Sequence, residues 1–371
     1  MLKTSSVYGG VFNPTENKEI DSYDLDRVSC PVLAGSLIVS RMNTKQHLGV
    51  AAAVRQDFAN LYLPDRLWAV TFRGAEPRFI DWWTKTPAYR SQVEAVSVGT
   101  SSSMQNISQG DFLDLRIELP DLEAQRAIAD YLDRETDRID ALIEEQQRLI
   151  EMLRERREAT IRSALLSGLD DAETAPSGVE LLGAVPKHWR MVPTRYLCTI
   201  TTGSEDSGNA TDGGEYPFYV RGREVLRIDH YSFEGEAVMT PGDGQGGTGK
   251  VFHYFDGKFE AHQRVYVFTD FTDVTGWYFY YFLSTFLRPV ALAGSNTVTM
   301  ESLRRPLLAD FKVAVPPIYE QQRITAYLDD QTAKIDTLIA EAEHFIDLAR
   351  ERRSALITAA VTGQIDVRAM A

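Results

Sequence analysis

Pro120-Asp121-Leu122-Glu123-Ala124-Gln125-Arg126-Ala127-Ile128-Ala129-Asp130-Tyr131-Leu132-Asp133 returns later in the chain as Pro316-Pro317-Ile318-Tyr319-Glu320-Gln321-Gln322-Arg323-Ile324-Thr325-Ala326-Tyr327-Leu328-Asp329. The offset of 196 residues then holds without a gap, so that Thr136 meets Thr332, Ile139-Asp140 meets Ile335-Asp336, and Arg154–Arg157 meets Arg350–Arg353. Roughly nineteen of about forty-three aligned positions are identical. Such a period is far too long for a solenoid and describes a molecule that carries two copies of one element. Within the first copy Ile128, Leu132, Ile139, Leu142, Ile143, Leu149, Ile150, Leu153, Ile161 and Leu165 recur at three- and four-residue steps, with Glu and Arg between them. The second copy repeats the stripe with Ile324, Leu328, Ile335, Leu338, Ile339, Phe345, Ile346, Leu348 and Leu356. Both read as long amphipathic helices with a coiled-coil seam, opened by proline and closed at Gly168 and Gly363. Each should be roughly 60 Å long. Neither can bury its stripe alone, so an antiparallel pair is expected.

The segments between the helices have another texture. Residues 1–118 and 169–314 are rich in Gly, Ser, Thr and aromatics, with short β-like runs at Leu37-Ile38-Val39, Leu67–Val70 and Val265–Phe268. Faint likenesses link them: Arg66–Val70 with Arg264–Phe268, and the polar loops ending near Met104 and Met300. The fold class is therefore α+β, two divergent globular blocks on a repeated helical frame. The second block opens with Gly178-Val179-Glu180-Leu181-Leu182-Gly183-Ala184-Val185-Pro186-Lys187-His188-Trp189, which nothing in the first block matches. Aligning Gly35–Val39 with Gly235–Met239 leaves the first block about twenty residues short, as an N-terminal truncation or a late start would.

Composition narrows the class. The 371 residues give room for two or three domains. Cys30 and Cys198 are too few for a disulfide framework, no secretory leader is visible, and the most apolar run, Trp277–Leu283, is too short for a bilayer. A cytoplasmic protein without membrane contact is expected. The net charge of −14 argues against a generic polyanion binder. Residues 1–118 are nevertheless close to balance, with about 12 basic and 13 acidic groups, while the acid accumulates further along. Binding to nucleic acid would need basic residues gathered on one face.

The repeated Pro-x-[Leu/Ile]-x-x-Gln-x-x-Ile-x-x-Tyr-Leu-Asp helices, the Ile-Asp-x-Leu-Ile and Arg-Glu-Arg-Arg segments, the endings Ser167-Gly168 and Thr362-Gly363-Gln364-Ile365-Asp366, and the Gly183–Trp189 lead-in resemble the specificity subunits of type I restriction–modification systems. The resemblance covers nearly the whole chain. It implies two target-recognition domains joined by two long helices forming an antiparallel coiled coil. These would be target-recognition domain 1 over 1–118, a central spacer helix over 119–168, target-recognition domain 2 over 169–314 and a C-terminal spacer helix over 315–371. It also implies double-stranded DNA as ligand, methyltransferase subunits docked on the helices, and restriction/translocase subunits added for cleavage. Two readers on a rigid spacer should contact half-sites about one helical turn, roughly 34 Å, apart.

Candidate DNA-binding residues follow from side-chain chemistry. The run Gly242-Asp243-Gly244-Gln245-Gly246-Gly247-Thr248-Gly249-Lys250 imitates a phosphate loop, but Val251 stands where Ser or Thr is required and Phe252–Phe255 reads as strand. It reads either as a tight turn or as a loop setting Gln245, Thr248 and Lys250 against DNA. The matching turn in the first block, Ser40–His47, offers Arg41, Asn43, Lys45 and Gln46, or is a solvated hairpin tip. Arg221, Arg223 and Arg227 near Tyr219 could clamp phosphates or be ordinary surface charge. Ser101–Gln105 and Asn296–Thr299 are weaker phosphate candidates. Trp82-Trp83 and Trp277–Phe282 read as core before stacking platforms.

Catalysis finds little support. The six histidines lack metal-ligand spacing, and Asn13-Pro14-Thr15-Glu16 departs from the Asn-Pro-Pro-Tyr of adenine methyltransferases at its last two residues. Asn106-Ile107-Ser108 is a sequon without meaning inside a cell. A non-enzymatic chain without cofactor or metal is expected. The rival reading is a coiled-coil adaptor whose blocks bind protein.

Overall fold

The computed structural model describes residues 1–21, 23, 28, 30–101, 104–243, 249–293 and 302–370. The two long helices run Leu122–Ser167 and Ile318–Val361. At 46 and 44 residues they are about 69 and 66 Å long, somewhat beyond the expected length. Gly168 (φ +73°) and Gly363 (φ +71°) end them in the left-handed conformation that glycine adopts without a Cβ penalty. The chain divides into two compact units, Met1–Leu149 with Ala342–Ala371, and Ile150–Glu341, so that the boundary falls inside both helices.

Within each unit the helices pair antiparallel. In the first, Ile128, Ala129 and Leu132 share a core with Ile357, Ala360 and Val361, and Arg353 lies 2.9 Å from Asp140. In the second, Ile161, Ala164 and Leu165 share a core with Ile324 and Leu328, and Arg157 lies 2.9 Å from Asp336. Arg353 is the repeat equivalent of Arg157, and Asp336 of Asp140. One ion pair has thus been made twice, with donor and acceptor exchanged between helices. The last arginine of each Arg-Glu-Arg-Arg run is therefore spent within the chain.

The buried seam is narrower than the apolar stripe. Ile139, Ile150, Leu153, Ile335 and Ile346 are buried, but Leu142, Leu149, Leu338, Phe345 and Leu348 are exposed. Where two apolar residues are adjacent, as in Leu142-Ile143 and Leu149-Ile150, the helix turns about 100° between them and only one can face the seam.

The identical residues of the repeat hold each block to its helix. Gln125 and Gln321 are 2% and 0% exposed. The Gln125 carbonyl accepts the Glu76 N–H (2.9 Å) ahead of helix Pro77–Trp83, while its amide donates to the Pro120 carbonyl (2.8 Å). Gln321 likewise accepts from the Thr275 N–H (2.9 Å) ahead of helix Gly276–Ala293 and donates to the Pro316 and Asp273 carbonyls, both at 2.9 Å. Two turns on, Asp133 accepts the Trp82 indole N–H and Asp329 that of Trp277, both at 3.1 Å. Thr136 and Thr332 are buried and donate back to the Leu132 and Leu328 carbonyls.

In the first unit, strand Leu37–Ser40 lies between Ala51–Ala53 and Leu67–Val70. A second sheet joins Met42–Asn43, Met104–Asn106 and Val98–Ser101. The second unit is built on a six-stranded sheet in the order Thr199–Thr202, Val265–Thr269, Phe233–Pro241, His253–Ala261, Tyr216–Tyr219, Val225–Ile228. All its neighbours are antiparallel except His253–Ala261 with Tyr216–Tyr219. The expected strands therefore form, and the aromatic runs are core: Trp82, Trp83, Tyr278, Phe279 and Phe282 are buried. Among the described residues no helix is long and apolar enough to cross a membrane.

Replacing Gln125 by Leu deprives a backbone N–H and a carbonyl under the block of their partner, and replacing Gln321 deprives an N–H and two carbonyls. Each change should cost about 1–3 kcal/mol. Urea-unfolding midpoints should fall for both, while exposed Gln322→Leu should leave the midpoint nearly unchanged.

Candidate nucleic-acid interface

The faint likeness between the blocks becomes concrete in their backbones. The Arg41 N–H donates to the Arg66 carbonyl (3.1 Å), and the Gly242 N–H donates to the Arg264 carbonyl (2.8 Å). The Ile107 N–H donates to the Arg41 carbonyl (3.1 Å), and the Leu303 N–H to the Gly242 carbonyl (2.7 Å). Met42 pairs with Asn106 across one tip, and Asp243 bridges Ser302 across the other. Arg41 and Gly242 are thus equivalent, as are Arg66 and Arg264. Each unit ends one core strand in the same pair of backbone hydrogen bonds.

In the first unit the turn is Arg41–Leu48. The Arg41 Nε donates to the Asp65 carbonyl (2.7 Å) and its guanidinium lies 5.7 Å from the Trp68 ring centre. Lys45 and Gln46 are exposed. Asn43 is turned inward. It is 9% exposed, its amide donates to the Tyr8 hydroxyl (2.8 Å) and Ser40 Oγ (3.1 Å), and its carbonyl accepts the Thr44 N–H (2.9 Å). A short amide this close to the pinned base serves the turn's own backbone. Sequence reasoning missed two supports. His47 stacks on Tyr8 with ring centres 3.9 Å apart, and Arg90 donates to the Leu48 carbonyl (2.7 Å) and to the Lys45 carbonyl. Nothing near the turn in sequence signals Arg90, because it arrives from helix Pro87–Val96.

Gln245, Thr248 and residues 296–299 of the second unit, and Ser102-Ser103 of the first, lie outside the described residues. Lys250 and Arg223 are exposed, and neither has an ion-pair partner among the described residues. Arg221 lies 3.7 Å from Asp243, whose other oxygen pairs with Arg264 at 2.6 Å. Asp243 therefore sits between two arginines at the tip. Arg227 is not available as a phosphate clamp: it donates to the Gly214 (2.9 Å) and Glu215 (2.8 Å) carbonyls and braces its own hairpin. His253 meets the Gly222 carbonyl at 3.1 Å. Burial pushes His253 below the usual histidine range, and burial followed by the charge of Arg221 does the same to His262. Both rings are neutral at neutral pH, so the positive charge of this tip comes from arginine and lysine. The cluster has no metal-like grouping of His, Cys, Asp and Glu among the described residues.

A turn pinned at its base, bearing exposed donors and cations, can enter a groove and present side chains to base edges and phosphates. Residues 88–152 and 186–343, more than half of the chain, match the family model described as the type I restriction modification DNA specificity domain. The chain belongs to this family. A stretch of 183 residues, 49% of this chain and 40% of the relative, is 28% identical to the type I restriction enzyme EcoDI specificity subunit of Escherichia coli. Another of 88 residues is 32% identical to the EcoBI specificity subunit of the same organism, covering 24% of this chain and 18% of that one. The chain thus matches less than half the length of these relatives.

Its fold is shared with solved structures of low sequence identity. A chain from a structure concerned with complex assembly and conformational transition of the type I R-M system superposes with a TM-score of 0.72, at 18% identity, over 89% of this chain and 82% of that one. The HsdS subunit from Thermoanaerobacter tengcongensis gives 0.57, also at 18%, over 90% and 82%.

Arg90→Ala should release the Lys45 and Leu48 carbonyls without touching the core. Amide hydrogen exchange across 44–50 should accelerate by about an order of magnitude, from loss of roughly 1–2 kcal/mol of local protection. Exchange in helix Leu122–Ser167 should stay unchanged.

Proposed function

We propose that this chain is the sequence-reading, non-catalytic subunit of a type I restriction–modification complex. It would read one part of a two-part DNA sequence with each unit and present the duplex to methyltransferase subunits. Restriction/translocase subunits would join for cleavage. Residues 1–118 and 169–314 would be the target-recognition domains, and 119–168 and 315–371 the spacer helices. The observation that carries the proposal is the matched set of backbone bonds that ends the equivalent strand in each unit, with unmatched side chains beside it. A conserved mount with variable contents is what a pair of readers for different base sequences requires.

Arg41, Lys45 and Gln46 in the first turn, and Arg221, Arg223 and Lys250 in the second, are the proposed contacts, with Gln245 and Thr248 kept as candidates. Arg66 and Arg264 join them by position. Gln46 suits an adenine edge, and the cations suit guanine or phosphate. The methyltransferase subunits would flip the target adenine from the duplex. The exposed Leu142, Leu149 and Leu338, which the seam leaves uncovered, suit the docking of such subunits along the helices.

The test is binding to duplex DNA with the methyltransferase subunits present, across a salt series. Selection from random duplexes should return a split motif, and a flat, sequence-blind response would reject the proposal. Arg223→Ala and Lys250→Ala should each weaken binding and lower the salt slope by about 0.9. Asp243→Asn, which frees Arg221 and Arg264, should strengthen binding at low salt.

A further inference from the structure

The hydrogen bonds that end the matched strands also fix which residues stand beside them. Arg66 and Arg264 supply the accepting carbonyls, so the residues before them, Asp65 and Gln263, are equivalent. Both are exposed, and one is a carboxylate where the other is an amide. Gln263 lies in a turn whose backbone is fully engaged. The Gln263 N–H donates to the Glu205 carbonyl (2.8 Å), the Arg264 N–H to His262 Nδ1 (3.0 Å) and the Val265 N–H to the His262 carbonyl (2.8 Å). His262 is 3% exposed, so its ring serves the turn from within.

The segment that carries Glu205 is seated closely against this turn. A Cβ on Gly203 would overlap the Ala261 carbonyl, so only glycine fits there. Of the two exposed side chains of the turn, Arg264 pairs with Asp243, whereas Gln263 Nε2 donates to Asp206 Oδ2 (3.2 Å). The Gly208 N–H donates to the same carboxyl (3.0 Å) and keeps it below the usual carboxylate range. An ionised carboxylate accepts hydrogen bonds and cannot donate them. Asp206 therefore fixes which end of the Gln263 amide faces it. The Oε1 of Gln263 and its second N–H are left without a partner among the described residues.

We propose that Gln263 reads an adenine in the part of the DNA sequence taken by the second unit, and that Asp206 is the residue that positions it. Adenine offers an acceptor at N7 beside a donor at N6, and an amide held in one sense matches that pair. The assignment rests on the DNA-reading function proposed above and adds to it a residue that carries no charge. Its contribution is therefore separate from the phosphate attraction of the cations around the tip. The difference at Asp65 fits the same scheme, since a carboxylate accepts only and suits the N4 donor of cytosine.

The test repeats the selection from random duplexes, with the methyltransferase subunits present, on variants of the full chain. Gln263→Ala should keep a split motif but lose the preference for adenine at one position of one half, where discrimination should fall roughly 5- to 150-fold. No charge changes, so the salt slope should stay the same. Asp206→Asn keeps an acceptor for the Gly208 N–H but adds a donor, which lets the Gln263 amide turn over. Discrimination at the same position should fall while binding to all duplexes tightens at low salt. Unchanged base preferences in Gln263→Ala, a loss at a base other than adenine, or uniform weakening on every duplex would overturn the inference and leave the DNA-reading function standing. Full discrimination in Asp206→Asn would overturn the positioning role. Absence of sequence selection by the parent chain would remove the function on which both rest.

Discussion

A buried glutamine at the start of each long helix is the constraint on which the rest depends. Gln125 and Gln321 face a problem that any helix-borne domain must solve. Where a globular block meets a helix end, backbone groups from both sides are driven out of water and must find partners. One amide side chain supplies a donor and an acceptor at fixed geometry, and it satisfies both sides of the joint at once. The aspartate two turns on does the same for a tryptophan indole, which buries a large ring yet needs a partner for its N–H. These contacts fix how each block leaves its helix, and the hydrophobic seam alone could not do so.

This explains which part of the fold could be read from the chain. The spacing of Ile128, Leu132, Ile139 and their repeats states a helix because periodicity is a local property. The identity of Gln, Asp and Thr between the copies was equally visible, but its cause was not. An identical polar residue on an amphipathic helix looks like an external docking site until the partner backbone, some 46 to 50 residues away in sequence, is placed against it. The exposed leucines show the converse error. Leu142 and Leu149 are as apolar as their neighbours, and only packing decides which of two adjacent residues the seam accepts.

The tip was legible in position and only partly in content. The glycine-rich run and Ser40–His47 do leave equivalent strands, as the short likeness of Arg66–Val70 to Arg264–Phe268 implied. Side-chain chemistry alone then overcounted the candidates. Asn43 and Arg227 carry the right donors for a nucleic acid, but their donors are used by nearby carbonyls and hydroxyls of the turns themselves. Competition from the local backbone is the usual fate of a short amide, or of an arginine beside a hairpin, and it cannot be judged without the fold. Arg90 went unseen for the opposite reason, since its importance comes wholly from where helix Pro87–Val96 carries it.

The matched position at the base of each turn shows how such a mount tolerates change. Arg41 and Gly242 make the same backbone bonds, yet one is the largest cationic residue and the other has no side chain. The difference follows from the neighbouring strand. A Cβ on Gly242 would come within 2.8 Å of the Tyr266 ring, whereas the Arg41 guanidinium lies 5.7 Å from the Trp68 ring centre. In one unit an aromatic ring excludes every side chain, and in the other it shares space with a cation. The backbone hydrogen bonds are indifferent to that exchange because they use only main-chain atoms. A tip mounted through its main chain can therefore change the charge it displays without losing its place on the sheet, provided that the ring beside it changes in step.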